Sequence, residues 1–250
     1  MGLDVYSGCL VRYYSRNWKT AVQQWAEQNG VAVNVVRAND AEPVPVEVIT
    51  DDVTSWRDKL LSELSEHINY PVIWNEDNDI TDYYTDKPDW CALHALLLFF
   101  AARYLGETVP DTVPKDFTVF EHPLYKKFMK ITQNQYSLYE CEWWLPVRDT
   151  LMFPAVLPTG HERTLATVGL LEAELREINA IDWKAGEKTI LSWTQTQGYP
   201  TDGYFRDGKA EMGEIHTEYD TVSLAKFAFS ILWQAVAHSK KHGTLIILDY

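Results

Sequence analysis

The stretch from Asp89 to Leu105 constrains the fold of this chain more than any other part of it. Its residues are apolar on nearly every side of a helix, and Gly106 stands where such a helix would end. A helix without a polar face has to be buried on most sides. We therefore expect it to be the central helix of the core.

The flanking sequence predicts an α+β fold, in which a mixed sheet and about five or six helices pack around that central helix. Helical patterns cover 17–30, 53–68, 124–131, 159–179 and 221–242, and strand patterns cover 3–13, 31–36, 136–145, 189–193 and 244–248, with a hairpin turn at Asp207-Gly208. Helices and strands do not alternate regularly enough for a doubly wound α/β fold. Residues 1–250 contain no internal repeat and no linker rich in Pro, Gly or Ser. One α+β domain is expected.

The negative charge of the chain is concentrated in one segment. Between residues 39 and 89 there are 14 acidic and 3 basic residues, a net charge of −11, whereas the other 199 residues carry 22 acidic and 19 basic ones, a net charge of −3. Nucleic acid is a poor partner for such a chain, because phosphate binding needs clustered Lys and Arg. A basic protein is the partner that this charge favours.

The chain is expected to be soluble and cytoplasmic, with no membrane segment. Its start lacks the basic and apolar regions of a secretory signal, and its most apolar stretch, residues 91–102, is too short to cross a bilayer. Cys9, Cys91 and Cys141 are odd in number and far apart, which is typical of a reducing compartment and argues against disulfides or a zinc ribbon.

The acidic loop before the central helix is the first candidate site. Asp77, Asp79 and Asp82 carry carboxylates at close spacing, but the EF-hand pattern fails, because Ile80 stands where a loop starting at Asn75 needs Gly. An irregular divalent-ion loop, a solvated loop and a docking face for a basic protein are the alternatives. In the docking alternative, Tyr83 and Tyr84 are anchors and Asp86 adds charge.

A second candidate site is centred on Glu140, Glu142 and Trp144. If residues 136–145 form a strand, these three side chains share one face. Carboxylates beside an indole are typical of a cleft for a sugar or a cation, and paired carboxylates catalyse glycoside hydrolysis. An ordinary exposed strand face is the alternative.

Cys91 and the histidines complete the set. Cys91 lies in the first turn of the central helix, where a thiol can become a nucleophile, but burial and nearby Asp89 favour an inert thiol. His238 and His242 have the i, i+4 spacing of metal ligands without the Glu of the H-E-x-x-H motif. We interpret them as charges that complement the end of the last helix, and we expect neither a metal nor a cofactor.

No motif identifies a reaction. The acidic segment favours a non-catalytic binding protein that docks a basic protein, for example an immunity- or antitoxin-type inhibitor. An enzyme or carbohydrate-like ligand binder acting through Glu140, Glu142 and Trp144 is one alternative. A divalent-metal-dependent activity at Asp77, Asp79 and Asp82 is the other.

Overall fold

The computed structural model describes residues 2–32, 44–78, 81–200, 203–206, 209–212 and 216–250. The helices of these parts are α1 (Leu10–Tyr14), α2 (Ala21–Gln28), α3 (Val46–Glu63), α4 (Asp89–Tyr104), α5 (Pro123–Thr132), α6 (Ser137–Glu140), α7 (Val168–Ile181), α8 (Glu187–Thr196) and α9 (Thr221–His242). A single 3₁₀ turn, Leu64–Glu66, follows α3.

The strands of the same parts are β1 (Asp4–Gly8), β2 (Tyr84–Asp86), β3 (Thr112–Pro114), β4 (Trp143–Leu145), β5 (Met152–Val156), β6 (Glu162–Thr167), β7 (Gly203–Arg206), β8 (Lys209–Met212), β9 (Glu218–Asp220) and β10 (Leu245–Asp249). Six of them form the main sheet in the order β2-β1-β10-β4-β6-β5. Only β4 and β6 run parallel, and the other neighbours are antiparallel. The predicted α+β class with a mixed sheet is confirmed, although the described residues form nine helices instead of five or six.

The main sheet separates two apolar cores. Successive residues of a strand point to opposite faces, and β1 accordingly sends Val5 into one core and Tyr6 into the other. The first core is formed with α4, α5, α7, α8 and α9, and the second with α1 and α3. The sheet therefore lies between two helical layers.

Helix α4 lies in the first core, and every residue from Cys91 to Ala102 is buried. Its neighbour α9 is capped at its N-terminus by Asp220, whose carboxylate accepts a hydrogen bond from Ser223 N at 2.6 Å. It ends at Gly243, whose φ of +66° is a left-handed conformation that glycine adopts without strain. None of the helices in the described part of the chain combines the length and hydropathy that a bilayer crossing requires.

Several local predictions are wrong. Residues 136–145 form α6 and then β4, residues 189–193 lie in helix α8, and residues 10–13 are helical. The helix predicted over 159–179 begins later, because β6 covers Glu162–Thr167 and Thr167 caps α7 by accepting a hydrogen bond from Leu170 N. Most of the strand predicted at 31–36, and the Asp207-Gly208 turn, lie outside the described residues, but β7 and β8 on either side of that turn pair antiparallel.

Candidate functional site

Helix α3 and the turn that follows it carry most of the exposed carboxylates in the described part of the acidic segment. Six carboxylates of residues 44–66 are exposed, and we call them the acidic helix face: Glu47, Asp51, Asp52, Asp58, Glu63 and Glu66. Two cations lie among them, so six negative and two positive charges make a net −4. Arg57 pairs with Asp58 at 2.8 Å, and Lys59 lies 3.9 Å from Glu63. The remaining carboxylates make no ion pair with described residues.

Apolar side chains are exposed at the start of the same helix. Val44, Val46 and Val48 are 55%, 44% and 47% exposed. Residues three and four apart are neighbours on a helix, so Val48 is flanked by Asp51 and Asp52. Val46 and Val48 are two residues apart and point to different sides of the helix, so Val48 is the exposed apolar side chain that lies among the carboxylates.

The acidic loop, by contrast, is fastened to helix α1. Arg12, which is only 9% exposed, donates from Nε to Asn78 Oδ1 at 3.0 Å and from its guanidinium to the Thr81 carbonyl at 2.6 Å. A further bond joins it to the carbonyl of Asn78. These carbonyl oxygens are therefore occupied by a buried cation and are poor ligands for a second one.

Glu76 fastens the loop from the other direction. Its buried carboxylate accepts hydrogen bonds from Val11 N at 3.0 Å and Trp74 Nε1 at 2.7 Å. Burial raises the pKa of Glu76, and these donors oppose the rise. Asp77 and Asp82 remain exposed, whereas Asp79 lies outside the described residues. Within the described residues no group of three or more His, Cys, Asp or Glu is placed to hold a metal ion.

Tyr83, Tyr84 and Asp86 are half-buried parts of the fold. The Arg12 guanidinium lies 5.1 Å from the centre of the Tyr83 ring, and the Tyr84 hydroxyl lies 3.4 Å from both Asp86 Oδ2 and the Ile231 carbonyl. Burial raises the pKa of Asp86. Both tyrosines are half-buried, and their rings and hydroxyls contact this chain. Their role as anchors for a partner stays a prediction.

The cleft predicted at Glu140, Glu142 and Trp144 does not form. Trp144 is fully buried and donates from Nε1 to Ser137 Oγ at 2.9 Å, so its ring cannot stack on a ligand. Glu140 ends helix α6, whereas Glu142 lies in the connection to β4 and accepts a hydrogen bond from the Tyr250 hydroxyl. A catalytic role for the two carboxylates stays a prediction, without the shared strand face that motivated it.

Cys91 is buried and lies 3.7 Å from the Pro114 carbonyl oxygen. Burial raises the pKa of its thiol, and Asp116 and Asp89 add to the rise. The thiolate is the nucleophilic form of cysteine, so this environment opposes the reactivity that the helix position favours.

His238 and His242 stack with ring centres 4.4 Å apart, and His238 Nδ1 lies 3.0 Å from Ser7 Oγ. Burial, with His242 as the second cause, lowers the pKa of His238 to about 4. At neutral pH this ring carries no charge for the helix end, contrary to our interpretation of the sequence. The Ser7 hydroxyl is fully buried, so the Ser–His pair is closed to a substrate.

The sequence analysis missed a buried carboxylate, Glu174, and a half-buried one, Asp4. Glu174 accepts hydrogen bonds from Ser137 N, Ser137 Oγ and Leu138 N at 2.5–2.9 Å, which caps α6, and burial raises its pKa to about 7. Asp4 stands opposite Asp249 on the neighbouring strand. Burial raises the pKa of Asp4 to about 6, Lys87 opposes the rise and Asp249 adds to it. The sequence carries no signal for the role of Asp4, because it depends on the pairing of β1 with β10.

Comparison of the chain with protein-family models, with curated proteins and with solved structures finds no match. The site is therefore interpreted from its geometry alone.

Proposed function

We propose that this protein is a non-catalytic binding protein that docks a basic protein partner through the acidic helix face. The supporting observation is the exposure of six carboxylates on one helix and its following turn, next to the exposed Val48. The acidic loop has a smaller part in this proposal than the sequence suggested, because Arg12 and Glu76 fasten it to α1.

Charge and apolar area have different roles in such an interface. Carboxylates of one sign steer a positively charged partner and reject negatively charged ones, mainly through the association rate. Apolar side chains that leave water supply most of the affinity. The acidic helix face supplies the charge, and Val48 beside it supplies apolar area. The net charge of −14 gives the whole chain the same sign of charge. An inhibitor of a cationic effector is the concrete form that we favour.

A cytoplasmic location is part of the same proposal. Cys9, Cys91 and Cys141 are free and buried in the described fold. Buried thiols without disulfides suit a reducing cytoplasm, where an inhibitor of this kind would meet its partner before secretion or release.

The test compares two variants of equal charge. In the helix variant, Glu47→Gln, Asp51→Asn and Asp52→Asn remove three of the six carboxylates of the acidic helix face. In the control variant, Asp111→Asn, Asp116→Asn and Glu121→Gln neutralise three exposed carboxylates that lie outside the acidic helix face. Each immobilised protein is exposed to host extract at low salt, and the retained basic proteins are identified and purified for binding measurements.

We expect one basic protein to be retained by the wild type and the control variant. The helix variant should associate with it at least about tenfold more slowly at low salt, and the difference should shrink as salt screens the charges. Equal association rates for the helix variant and the wild type would refute the proposal.

A further inference from the structure

A cavity of about 390 Å³ opens at the carboxyl ends of the parallel strands β4 and β6. Its wall includes Tyr70, Ile73, Val147, Arg148, Gly169 and Lys240. The volume is in the range of small-molecule sites.

The backbone of this cavity is held tightly. Gly169 N donates to the Val147 carbonyl at 2.9 Å, and a Cβ at position 169 would lie 1.9 Å from the Arg148 carbonyl oxygen, so only glycine fits there. The Tyr70 hydroxyl accepts a hydrogen bond from Arg148 N at 2.8 Å. These contacts hold the backbone of Arg148 in place, whereas its side chain is exposed.

The rim is positively charged, in contrast to the chain as a whole. Lys240 Nζ and Arg176 each lie 2.6 Å from an oxygen of Glu172. Arg148 makes no ion pair with the described residues, and its guanidinium lies 5.8 Å from the centre of the Tyr70 ring. Among the residues that line the cavity, Arg148 and Lys240 are positive and Glu172 is negative, a local charge of +1. Arg176 and Asp149 do not line the cavity, although Asp149, after burial, raises the pKa of the Tyr70 hydroxyl.

Much of the lining is apolar, with Pro71, Ile73, Val147 and Val168 contributing to it. Inorganic phosphate would leave this part of the wall unfilled, whereas an apolar body would displace water from it. Arg148 suits an oxyanion, since a guanidinium binds carboxylate and phosphate with two parallel hydrogen bonds.

We propose that this cleft binds a small organic anion, with a carboxylate or phosphate head held between Arg148 and Lys240 and an apolar body against Ile73 and Val147. The cleft shares no lining residue with the acidic helix face. The proposal is therefore independent of the docking function, and either one can fail without the other.

The probes are benzoate, phenyl phosphate and the neutral isostere benzamide, titrated by calorimetry and by NMR shifts of the Gly169 amide. The variants are Arg148→Gln and Lys240→Gln, with Lys127→Gln as control. Lys127 matches Lys240, because it is about half exposed and pairs with Glu107 as Lys240 pairs with Glu172. A fourth variant, Ile73→Trp, narrows the mouth at a residue that is 67% exposed, so that folding is preserved.

We expect benzoate or phenyl phosphate to bind the wild type with a Kd of about 1 mM or below, and benzamide to bind at least about tenfold more weakly. Arg148→Gln and Lys240→Gln should each weaken the anion about tenfold or more, because charge-assisted hydrogen bonds are lost. Ile73→Trp should abolish binding, and Lys127→Gln should leave it unchanged. The stronger of the two anions identifies the head group.

Three results would overturn the assignment: no anion binding to the folded wild type, equal binding of benzoate and benzamide, or anion binding that survives both charge variants. Thermal melts of each variant establish that the protein remains folded during these titrations.

Discussion

Individual side chains of this protein owe their properties to partners that are distant in the sequence. Arg12 reaches Asn78, 66 residues away, and Asp4 stands opposite Asp249. Asp4 Oδ1 is buried without a hydrogen-bond partner among the described residues. A carboxyl group in that position favours its neutral form, because burial penalises the charge and Asp249 repels it.

Asp4 therefore makes stability depend on pH. Its pKa is about 6 in the folded protein, against an ordinary value of 3.8 for an aspartate in an unfolded chain, so the folded protein holds the proton more tightly. The resulting stabilisation is complete below about pH 4 and is lost as the pH rises through 6. We expect Asp4→Asn to raise the free energy of unfolding at pH 7.5 by about 1 to 2 kcal/mol, allowing for solvent screening, and to have little effect at pH 4.

Urea unfolding of wild type and Asp4→Asn at both pH values measures this difference, with the exposed Asp111→Asn as control. If the free energies of unfolding of the wild type and Asp4→Asn differed by the same amount at pH 4 and pH 7.5, the assignment of the proton to Asp4 would be contradicted.

At the scale of single elements, buried contacts override local pattern. Helix α3 begins at Val46, seven residues before the predicted start, although Val46, Val48 and Thr50 are β-branched and weaken helices. Ile49, Val53 and Leu60 reach the second core from this helix. In α8, Ile190 and Trp193 are buried three residues apart, a helical spacing within what looked like a strand.

Helix α2 shows the converse. The apolar residues at helical spacing in this segment include Val22, Trp25 and Ala26, of which Ala26 is buried and Val22 and Trp25 are 46% and 50% exposed. The helix begins at a capping box that Thr20 and Gln23 form through their side chains and backbone amides. The periodic pattern thus predicted the helix, whereas the rest of the fold decides which of its residues are buried.

The docking of the acidic loop on α1 depends on the guanidinium of Arg12. We expect Arg12→Lys to destabilise the protein by about 2 kcal/mol, since an ammonium keeps the charge but cannot reach Asn78 and Thr81 with the same fork. Hydrogen exchange should become faster at Val11 N, which donates to Glu76, and stay slow in α4.

The matched control is Arg16→Lys, because Arg16 is exposed and follows the same short helix. Unchanged exchange at Val11 in Arg12→Lys would show that the loop is held by Glu76 without Arg12.

At the scale of the whole molecule, net charge and metal binding are separate questions. The 36 acidic residues are distributed so that the described ones do not converge on a metal site. We expect Ca²⁺, Mg²⁺ or Mn²⁺ at millimolar concentration to leave the melting temperature unchanged, because an ion that binds only the folded state has to raise it.

Differential scanning calorimetry with and without EDTA measures this, and Asp77→Asn with Asp82→Asn separates a loop site from other sites. A rise of the melting temperature that these two substitutions remove would establish the metal-loop alternative and contradict our expectation.

The sequence by itself determined the class of fold, the buried helix that begins at Asp89, and the last helix with Gly243 behind it. These features repeat an apolar pattern over many residues or end at a residue with a distinct conformational preference, so local interactions suffice. Only the tertiary structure decided which acidic residues face solvent, that Trp144 is buried, and that Arg148 and Lys240 line the same cavity. Each of these depends on contacts between segments far apart in the chain, whose burial energy exceeds the weak local preferences of the residues involved.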